Sequence, residues 1–297
     1  MPQLSDKMIP ILRSRMMKLK NNPEPDPVKT ERALMNLSGE VMEKLVRGHF
    51  QKDLIELSYC RAALLTPKKK TVRGTVLYLH GGGYCTGDLD YACWFGKLIS
   101  QGVEARTFCP AYRLAPEHPF PAALEDAADA YNWLLKAFPG EPVTLIGESA
   151  GGGLLLALCL YAKEKGLPQP AGLVALSPWT DLTQSGASYI FNLEADPSMT
   201  REKLEIFARA YTDTPLDPLC SPLFGDLAGL PECLIFAGGD EVMLSDSLQL
   251  AAALKKAGCT CELTVAEGLW HAYVFYGFKS RHRDAERITE FLRGKMS

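Results

Sequence analysis

The amino-acid sequence predicts an α/β fold in which a mostly parallel central sheet is covered by helices on both faces. Short apolar stretches typical of strands alternate with longer stretches of helical period, which is the order found in parallel-sheet proteins. A strand, a sharp turn and a helix are indicated most clearly over residues 142–162. With 297 residues, 47% of them hydrophobic, the chain can bury the core of a single domain over residues 1–297.

The predicted elements follow in chain order. Apolar residues at helical spacing predict two helices, over residues 8–19 and 41–50, which Pro23, Pro25 and Pro27 separate. Apolar stretches predict strands over residues 55–65, 72–79, 106–110, 142–146, 171–176, 232–237 and 261–265. Further helices are predicted over residues 121–138, 154–162, 201–211, 245–256 and 281–293. Residues 181–219 contain no stretch with a strand pattern, which predicts an insertion after the fifth predicted strand.

Ser149 lies in the run Gly147-Glu148-Ser149-Ala150-Gly151, at the predicted turn between a strand and a helix. A serine hydroxyl is a poor nucleophile unless it is exposed beside a base and near oxyanion donors. The G-x-S-x-G pattern provides the exposure, because the serine projects from a strained turn and the glycines let neighbouring backbone approach without a Cβ clash. Such a short pattern also occurs by chance, so it indicates a nucleophile only together with its partners.

A glycine loop follows the second predicted strand, with His80 before Gly81, Gly82 and Gly83. Three consecutive glycines cost backbone entropy, so the main chain there is expected to approach another group closely. We expect the amides of Gly82 and Gly83, with that of Ala150, to bind the negative oxygen of a tetrahedral intermediate. His80 is expected to be structural, because the base comes last in the chain order of this arrangement.

The base and its acid are expected downstream of Ser149. His271 follows the last predicted strand, and Asp240 and Glu241 follow the strand before it. Both groups then lie at the carboxyl ends of strands, where open α/β sheets hold their sites. His271 would take the serine proton and deliver it to the leaving alcohol, while a carboxylate fixes its tautomer. Adjacent side chains cannot both point at His271, so the residues alone leave Asp240 and Glu241 open.

Further motifs support this arrangement. They are Tyr112-Arg113-Leu114-Ala115-Pro116-Glu117-His118 with Phe120-Pro121-Ala122-Ala123 after it, the serine turn extended to Gly152, and Ser177-Pro178-Trp179. With the glycine loop, these motifs make residues 55–297 resemble the hormone-sensitive-lipase-like branch of the α/β-hydrolases. The resemblance implies an α/β-hydrolase fold with a helical cap, and a serine carboxylesterase acting on short to medium acyl esters. One position departs from the family pattern, since Glu148 stands where the family usually has aspartate.

The resemblance also bears on the cap, the acid and the pocket. It implies a cap, which we assign to about residues 1–50 and 181–219. Family members keep about thirty residues between acid and histidine, and 271 − 241 = 30, which favours Glu241 over Asp240. Tyr84, beside the glycine loop, is expected to bind substrate, because aromatic walls suit an acyl chain.

Two other functions remain open at this level. A deacetylase of acetylated saccharides would use the same fold and residues, because these do not fix the acyl acceptor. A ligand-binding receptor on the same scaffold would resemble plant gibberellin receptors, which lack the working histidine. Because Ser149 and His271 are both in register in this chain, catalysis is favoured.

Composition limits the partners and cofactors. A net charge of −3 argues against nucleic acid, and the one basic run, residues 68–70, is most simply an exposed turn. The nine cysteines show no C-x-x-C spacing, so we expect reduced thiols, no metal and no cofactor. No signal-peptide pattern or membrane-length apolar stretch is present, so a cytoplasmic protein with no membrane partner is expected. A small-molecule ester is the expected substrate, and the sequence leaves a homodimer open.

Overall fold

A computed structural model of the protein describes residues 4–22, 25–46, 50–68 and 73–296. Within these residues, eight strands form one sheet. The strands are β1 (Phe50–Glu56), β2 (Arg61–Pro67), β3 (Thr75–Leu79), β4 (Arg106–Pro110), β5 (Val143–Glu148), β6 (Leu173–Leu176), β7 (Cys233–Gly238) and β8 (Cys261–Ala266). Their spatial order is β1-β2-β4-β3-β5-β6-β7-β8, and β2 alone runs antiparallel to its neighbours in this described sheet.

Helices connect most of the parallel strands. They are α1 (Met8–Lys20), α2 (Pro27–Leu45), α3 (Leu89–Val103), α4 (Ala122–Ala137), α5 (Ala150–Glu164), α6 (Ser188–Phe191), α7 (Arg201–Tyr211), α8 (Leu244–Lys256) and α9 (His282–Gly294). Short 3₁₀ turns occur at Pro222–Phe224, Tyr273–Tyr276 and Lys279–Arg281. No helix in the described part of the chain has the length and apolar character needed to cross a bilayer.

The sheet separates two hydrophobic cores. Helices α4, α5 and α8 cover one face, and helices α3 and α9 cover the other. Successive residues of a strand point to opposite faces. In β3, Leu77 and Leu79 therefore pack in the first core, while Val76 and Tyr78 pack in the second. This architecture confirms the predicted α/β class with helices on both faces.

The segment predicted as one strand over residues 55–65 belongs to two strands. Strands β1 and β2 form an antiparallel hairpin in which Glu56 lies opposite Arg61. The Leu57 amide donates to the Cys60 carbonyl oxygen at 2.9 Å and closes the turn. The prediction was wrong because the connecting residues contain neither glycine nor proline, which are the usual turn signals.

Helix α2 begins earlier than the sequence predicted. The Asp26 carboxylate accepts a hydrogen bond from the Lys29 amide at 3.0 Å, and Pro27 is the first helical residue. Proline suits this position because the N–H that it lacks would have no acceptor within the helix. The two helices are separate, as predicted, but Pro27 begins α2 instead of lying between them, and the helix predicted over residues 41–50 is only the last part of α2. Pro23, residues 47–49 of this predicted helix, residues 69–70 of the predicted basic turn and residue 72 of the second predicted strand lie outside the described residues.

Helix α3 was not predicted at all. Asp88 caps it by accepting a hydrogen bond from the Tyr91 amide at 2.8 Å, and Phe95 is one of the residues that it buries in the second core. Gly96 and Gly102 lie within the helix, and glycine is a poor helix former, which weakens the sequence signal. The buried face of the helix is stabilised by tertiary packing instead.

The beginning of α5 lies very close to the end of β3. A Cβ atom added at Gly151 would fall far inside van der Waals contact with the Leu79 carbonyl oxygen. Only glycine therefore allows this approach, which brings the first turn of α5 beside the loop that follows β3.

We expect Gly151→Ala to lower the free energy of unfolding by about 1–3 kcal/mol, the usual cost of overpacking a tight site. Gly294→Ala is the matched control, because a Cβ there would meet no heavy atom from other parts of the described chain within 4 Å. Denaturant unfolding measures both variants. If Gly151→Ala unfolds at the same denaturant concentration as Gly294→Ala, the close approach does not constrain the fold.

Candidate active site

Ser149 occupies the sharp junction between β5 and α5. Its backbone has φ 56° and ψ −122°, a conformation rarely adopted by residues other than glycine. Two hydrogen bonds hold it there: its amide donates to the Leu176 carbonyl oxygen, and its own carbonyl oxygen accepts from the Trp179 amide, both at 2.9 Å. Strand β6 and the loop after it thus fix the strained residue.

His271 follows β8 and contacts a buried carboxylate. Its Nδ1 lies 3.3 Å from Oε2 of Glu241, whose side chain is fully buried. Burial raises the pKa of Glu241, and the hydrogen bond and charge of His271 oppose that effect. The structure thus brings Glu241 and His271 together.

Asp240 points elsewhere. Its Oδ2 accepts a hydrogen bond from Nη2 of Arg13, on α1, at 2.6 Å. Of the two adjacent carboxylates that the residues alone leave open, Glu241 therefore contacts the imidazole and Asp240 the N-terminal helix.

The loop that carries Glu241 is held by two residues of the segment between β6 and β7. The Asn192 side-chain amide donates to the carbonyl oxygens of Gly239 and Glu241, at 3.1 and 2.9 Å. The fully buried Asp196 accepts from the Val242 amide at 2.9 Å. Sequence reasoning missed both residues, because neither belongs to a motif and each acts on a loop more than forty positions away.

The glycine loop adopts left-handed backbone conformations that its sequence permits. Gly82 has φ 106° and Gly83 has φ 61°. The Gly82 carbonyl oxygen accepts from the amides of Cys85 and Thr86, both at 3.0 Å, which folds the loop back on itself. Within the described part of the chain, the amides of Gly82, Gly83 and Ala150 donate to no acceptor. Gly82 and Gly83 also line the cavity that contains Ser149, whereas Ala150 is not among its lining residues.

Glu148, the residue that departs from the family pattern, is hydrogen-bonded to the glycine loop. Its Oε1 accepts from the Gly81 amide at 2.6 Å and from the Tyr91 hydroxyl at 3.4 Å. Burial raises the pKa of Glu148 to about 8, although these hydrogen bonds act in the opposite direction.

Ser149 and His271 line the same cavity, of about 100 Å³, together with the glycine loop. Its opposite wall comes from α2, α7 and the residues just before α7. The wall residues are Glu31, Met35, Met199, Lys203, Leu204 and Phe207. A larger cavity, of about 220 Å³, lies between α3 and α9 on the far face of the sheet and contains neither Ser149 nor His271.

Tyr84 does not line the cavity, in contrast to the expectation from sequence. Its side chain is 1% exposed and stacks on Tyr211, with ring centroids 3.8 Å apart. The Trp179 ring lies 6.2 Å away on the same core. The Tyr84 side chain is therefore packed in the core, and the apolar wall of the cavity comes from side chains of α2, of α7 and of the residues just before α7.

Comparisons with known proteins agree with this fold. A family model described as the alpha/beta hydrolase fold matches residues 76–275. An acetyl-hydrolase of Streptomyces hygroscopicus is 37% identical over 228 residues, 75% of this chain and 76% of the relative. An esterase of Acinetobacter venetianus is 32% identical over 261 residues, 84% of this chain and 86% of the relative.

A solved structure, of an esterase from the bacterial hormone-sensitive lipase family, superimposes on the chain with a TM-score of 0.89 and 31% identity, covering 99% of this chain and 100% of the other. The fold and the family model define the protein as an α/β-hydrolase. Within that class, the chain belongs to the hormone-sensitive lipase family. The resemblance seen in the sequence is thereby confirmed.

The two acidic residues can be distinguished by mutation. We expect Glu241→Gln to lower kcat for hydrolysis of p-nitrophenyl acetate about 10⁴-fold, since the amide no longer orients or charge-stabilises the imidazole. Asp240→Asn should lower kcat less than about tenfold, because it removes only a partly exposed ion pair with Arg13. Steady-state kinetics measure both. Loss of activity in Asp240→Asn alone would reverse the assignment.

Proposed function

We propose that this protein, a carboxylic ester hydrolase, works through an acyl-enzyme formed on Ser149. One observation carries the proposal: a serine in a strained turn and a histidine paired with a buried carboxylate line one cavity beside unpaired loop amides. This combination is what nucleophilic acyl transfer requires.

In the proposed reaction, the Ser149 hydroxyl attacks the ester carbonyl carbon while His271 accepts its proton. Since Nδ1 of His271 faces Glu241, Nε2 is the atom that takes the proton. The C–O bond to the alcohol then breaks, and the imidazolium protonates the leaving oxygen. Water, deprotonated by the same histidine, then attacks the acyl carbon of the acyl-enzyme. The bond from that carbon to the Ser149 oxygen breaks, the imidazolium returns its proton to Ser149, and the carboxylic acid is released.

The oxyanion of each tetrahedral intermediate is proposed to bind the amides of Gly82, Gly83 and Ala150. Their lack of acceptors in the described structure supports this role, as does the position of Ala150 at the first turn of α5, where helix amides point outwards. Donors that are already oriented cost no reorganisation when the charge forms.

We also propose that about residues 1–50 and 181–219 form a cap over the site. Side chains of α2 and α7 line the cavity opposite Ser149, and Lys203 of α7 forms an ion pair with Glu31 of α2. Residues 1–3, 23–24 and 47–49 of this proposed cap lie outside the described residues.

The cavity favours small acyl groups. Its volume of about 100 Å³ is small, and Met35, Met199 and Leu204 give it an apolar wall. The name of the acetyl-hydrolase relative agrees with a short acyl group. We therefore propose short-chain esters as the preferred substrates within the short to medium range. Acetylated saccharides stay an alternative substrate class that differs only in the alcohol.

A phosphonate inhibitor tests the nucleophile and separates an enzyme from a receptor. We expect one equivalent of a fluorophosphonate to bind wild type covalently and to abolish ester hydrolysis. Ser149→Ala should take up none, and His271→Ala should react far more slowly, since the serine loses its base. Intact-protein mass spectrometry measures the adduct. Wild type that stays unlabelled would favour a ligand-binding receptor.

The acyl preference is tested with a panel of p-nitrophenyl esters from acetyl to dodecanoyl, with acetylated saccharides in parallel. We expect kcat/KM to be greatest between acetyl and butyryl, and to fall at least about tenfold for dodecanoyl, which a small cavity excludes. Met199→Ala should shift the preference towards longer acyl chains. Met42→Ala is the matched control and should keep the wild-type preference, because Met42 does not line the cavity. Equal rates along the series would contradict the proposed preference.

A further inference from the structure

Glu148 is a buried carboxyl group for which the proposed reaction has no step. It is the last residue of β5, directly before Ser149, and is 2% exposed. One oxygen, Oε1, accepts from Gly81 and Tyr91 as described above. The other, Oε2, is buried and has no hydrogen-bond partner among the described residues. A carboxylate with one unsolvated oxygen is costly, because burial penalises the charged form.

The groups that face Glu148 do not supply a compensating positive charge. The hydroxyls of Tyr78 from β3 and Tyr91 from α3 lie near its carboxyl group and act to lower its pKa, less strongly than burial raises it. The hydroxyl of Tyr112, in the loop after β4, donates instead to the His80 carbonyl oxygen at 2.6 Å. Within the described residues, no lysine, arginine or histidine nitrogen lies within 4.0 Å of its carboxyl oxygens. Of the charged groups on the cavity wall, Lys203 is paired with Glu31.

His271, the proposed base, and Glu148 both line the cavity that contains Ser149. His271 is held by Glu241 on the other side of the site, so its imidazole has its own carboxylate partner. His80, next to Gly81, is fully buried and stacks on the Tyr112 ring, and burial lowers its pKa to about 4. Neither histidine forms an ion pair with Glu148 in the described part of the chain. The raised pKa of Glu148, about 8, agrees with this environment.

A negative charge at Glu148 would lie beside the glycine loop, because its carboxyl group is hydrogen-bonded to the Gly81 amide. The Gly81 amide that it binds is one residue from Gly82, whose amide is proposed to hold the oxyanion. A carboxylate at this position would repel the oxyanion in a low-dielectric site, whereas a neutral carboxyl keeps the hydrogen bond to Gly81 without that repulsion.

We propose that Glu148 is a positioning residue that works in its neutral form, fixing the glycine loop through the Gly81 amide while keeping negative charge away from the oxyanion. This inference rests on the proposed function, because it takes Ser149 as the nucleophile and the loop amides as its oxyanion donors. Its consequence is that ionisation of Glu148 slows the chemical step.

The test is the pH dependence of kcat from pH 6 to pH 10 with p-nitrophenyl acetate, corrected for spontaneous hydrolysis. As pH rises through the pKa of about 8, Glu148 loses its proton and wild-type kcat is expected to fall. The expected decrease is about tenfold, which corresponds to about one pKa unit of coupling with the oxyanion. Glu148→Gln cannot ionise but retains an oxygen for the Gly81 amide, so its kcat should stay level at high pH.

Two further variants make the assignment specific. Tyr91→Phe removes a donor that favours the ionised form of Glu148, so the decrease in kcat should move to higher pH. Asp246→Asn is the matched control. Asp246 is also buried with a pKa raised to about 8 by burial, but it binds the amides of Thr180 and Asp181 rather than the glycine loop. This variant should keep the wild-type decrease.

Each variant has a result that would contradict the role proposed for Glu148. A Glu148→Gln variant with the wild-type alkaline decrease would overturn the inference, as would the loss of that decrease in Asp246→Asn. If Glu148→Gln fails to fold by circular dichroism, Tyr91→Phe decides, and an unshifted decrease in that variant overturns the inference. Failure of the proposed function is seen separately, since wild type would then not react with the phosphonate at Ser149.

Discussion

The backbone of Ser149 is held in a left-handed conformation that L-residues rarely adopt, and much of the fold acts to maintain it. The Leu176 carbonyl oxygen, at the end of β6, accepts a hydrogen bond from the Ser149 amide, and Gly151 lets α5 approach the end of β3. Because β3 then continues into the glycine loop, the same packing sets the distance between the serine and the loop amides. The strain at one residue is thus balanced by hydrogen bonds and packing from three strands and a helix.

The other half of the site depends on the N-terminal helix and the insertion after β6. Arg13 of α1 donates to the Ala195 carbonyl oxygen, to Asp240 and to the Gly268 carbonyl oxygen, at 2.7, 2.6 and 2.8 Å. One side chain therefore links the insertion to the loops that carry Glu241 and His271. Lys20 adds hydrogen bonds to the carbonyl oxygens of Leu193 and Asp196. The segments proposed as a cap thus also position the acid and the base.

The sequence predicted the parts of this site that depend on local signals. The turn at Ser149 and the glycine loop could be read from residue order, because strained turns and close approaches require particular residues in sequence. The direction of Asp240 could not, since its partner Arg13 lies 227 positions away. The burial of Tyr84 follows from its stacking on Tyr211, in another element, and α3 owes its stability to packing rather than to helix propensity. These features depend on tertiary contacts, which periodicity does not encode.

The central claim is that the hydroxyl oxygen of Ser149 carries the acyl group during hydrolysis. The most direct measurement is rapid acid quenching of the protein with a slowly deacylated ester, followed by proteolysis and mass spectrometry of the peptides. The account predicts an added acyl mass on the peptide containing Ser149, present within the first turnover and absent from Ser149→Ala. Ester hydrolysis that proceeds with no acyl group on that peptide, or with the group on another residue, would contradict it.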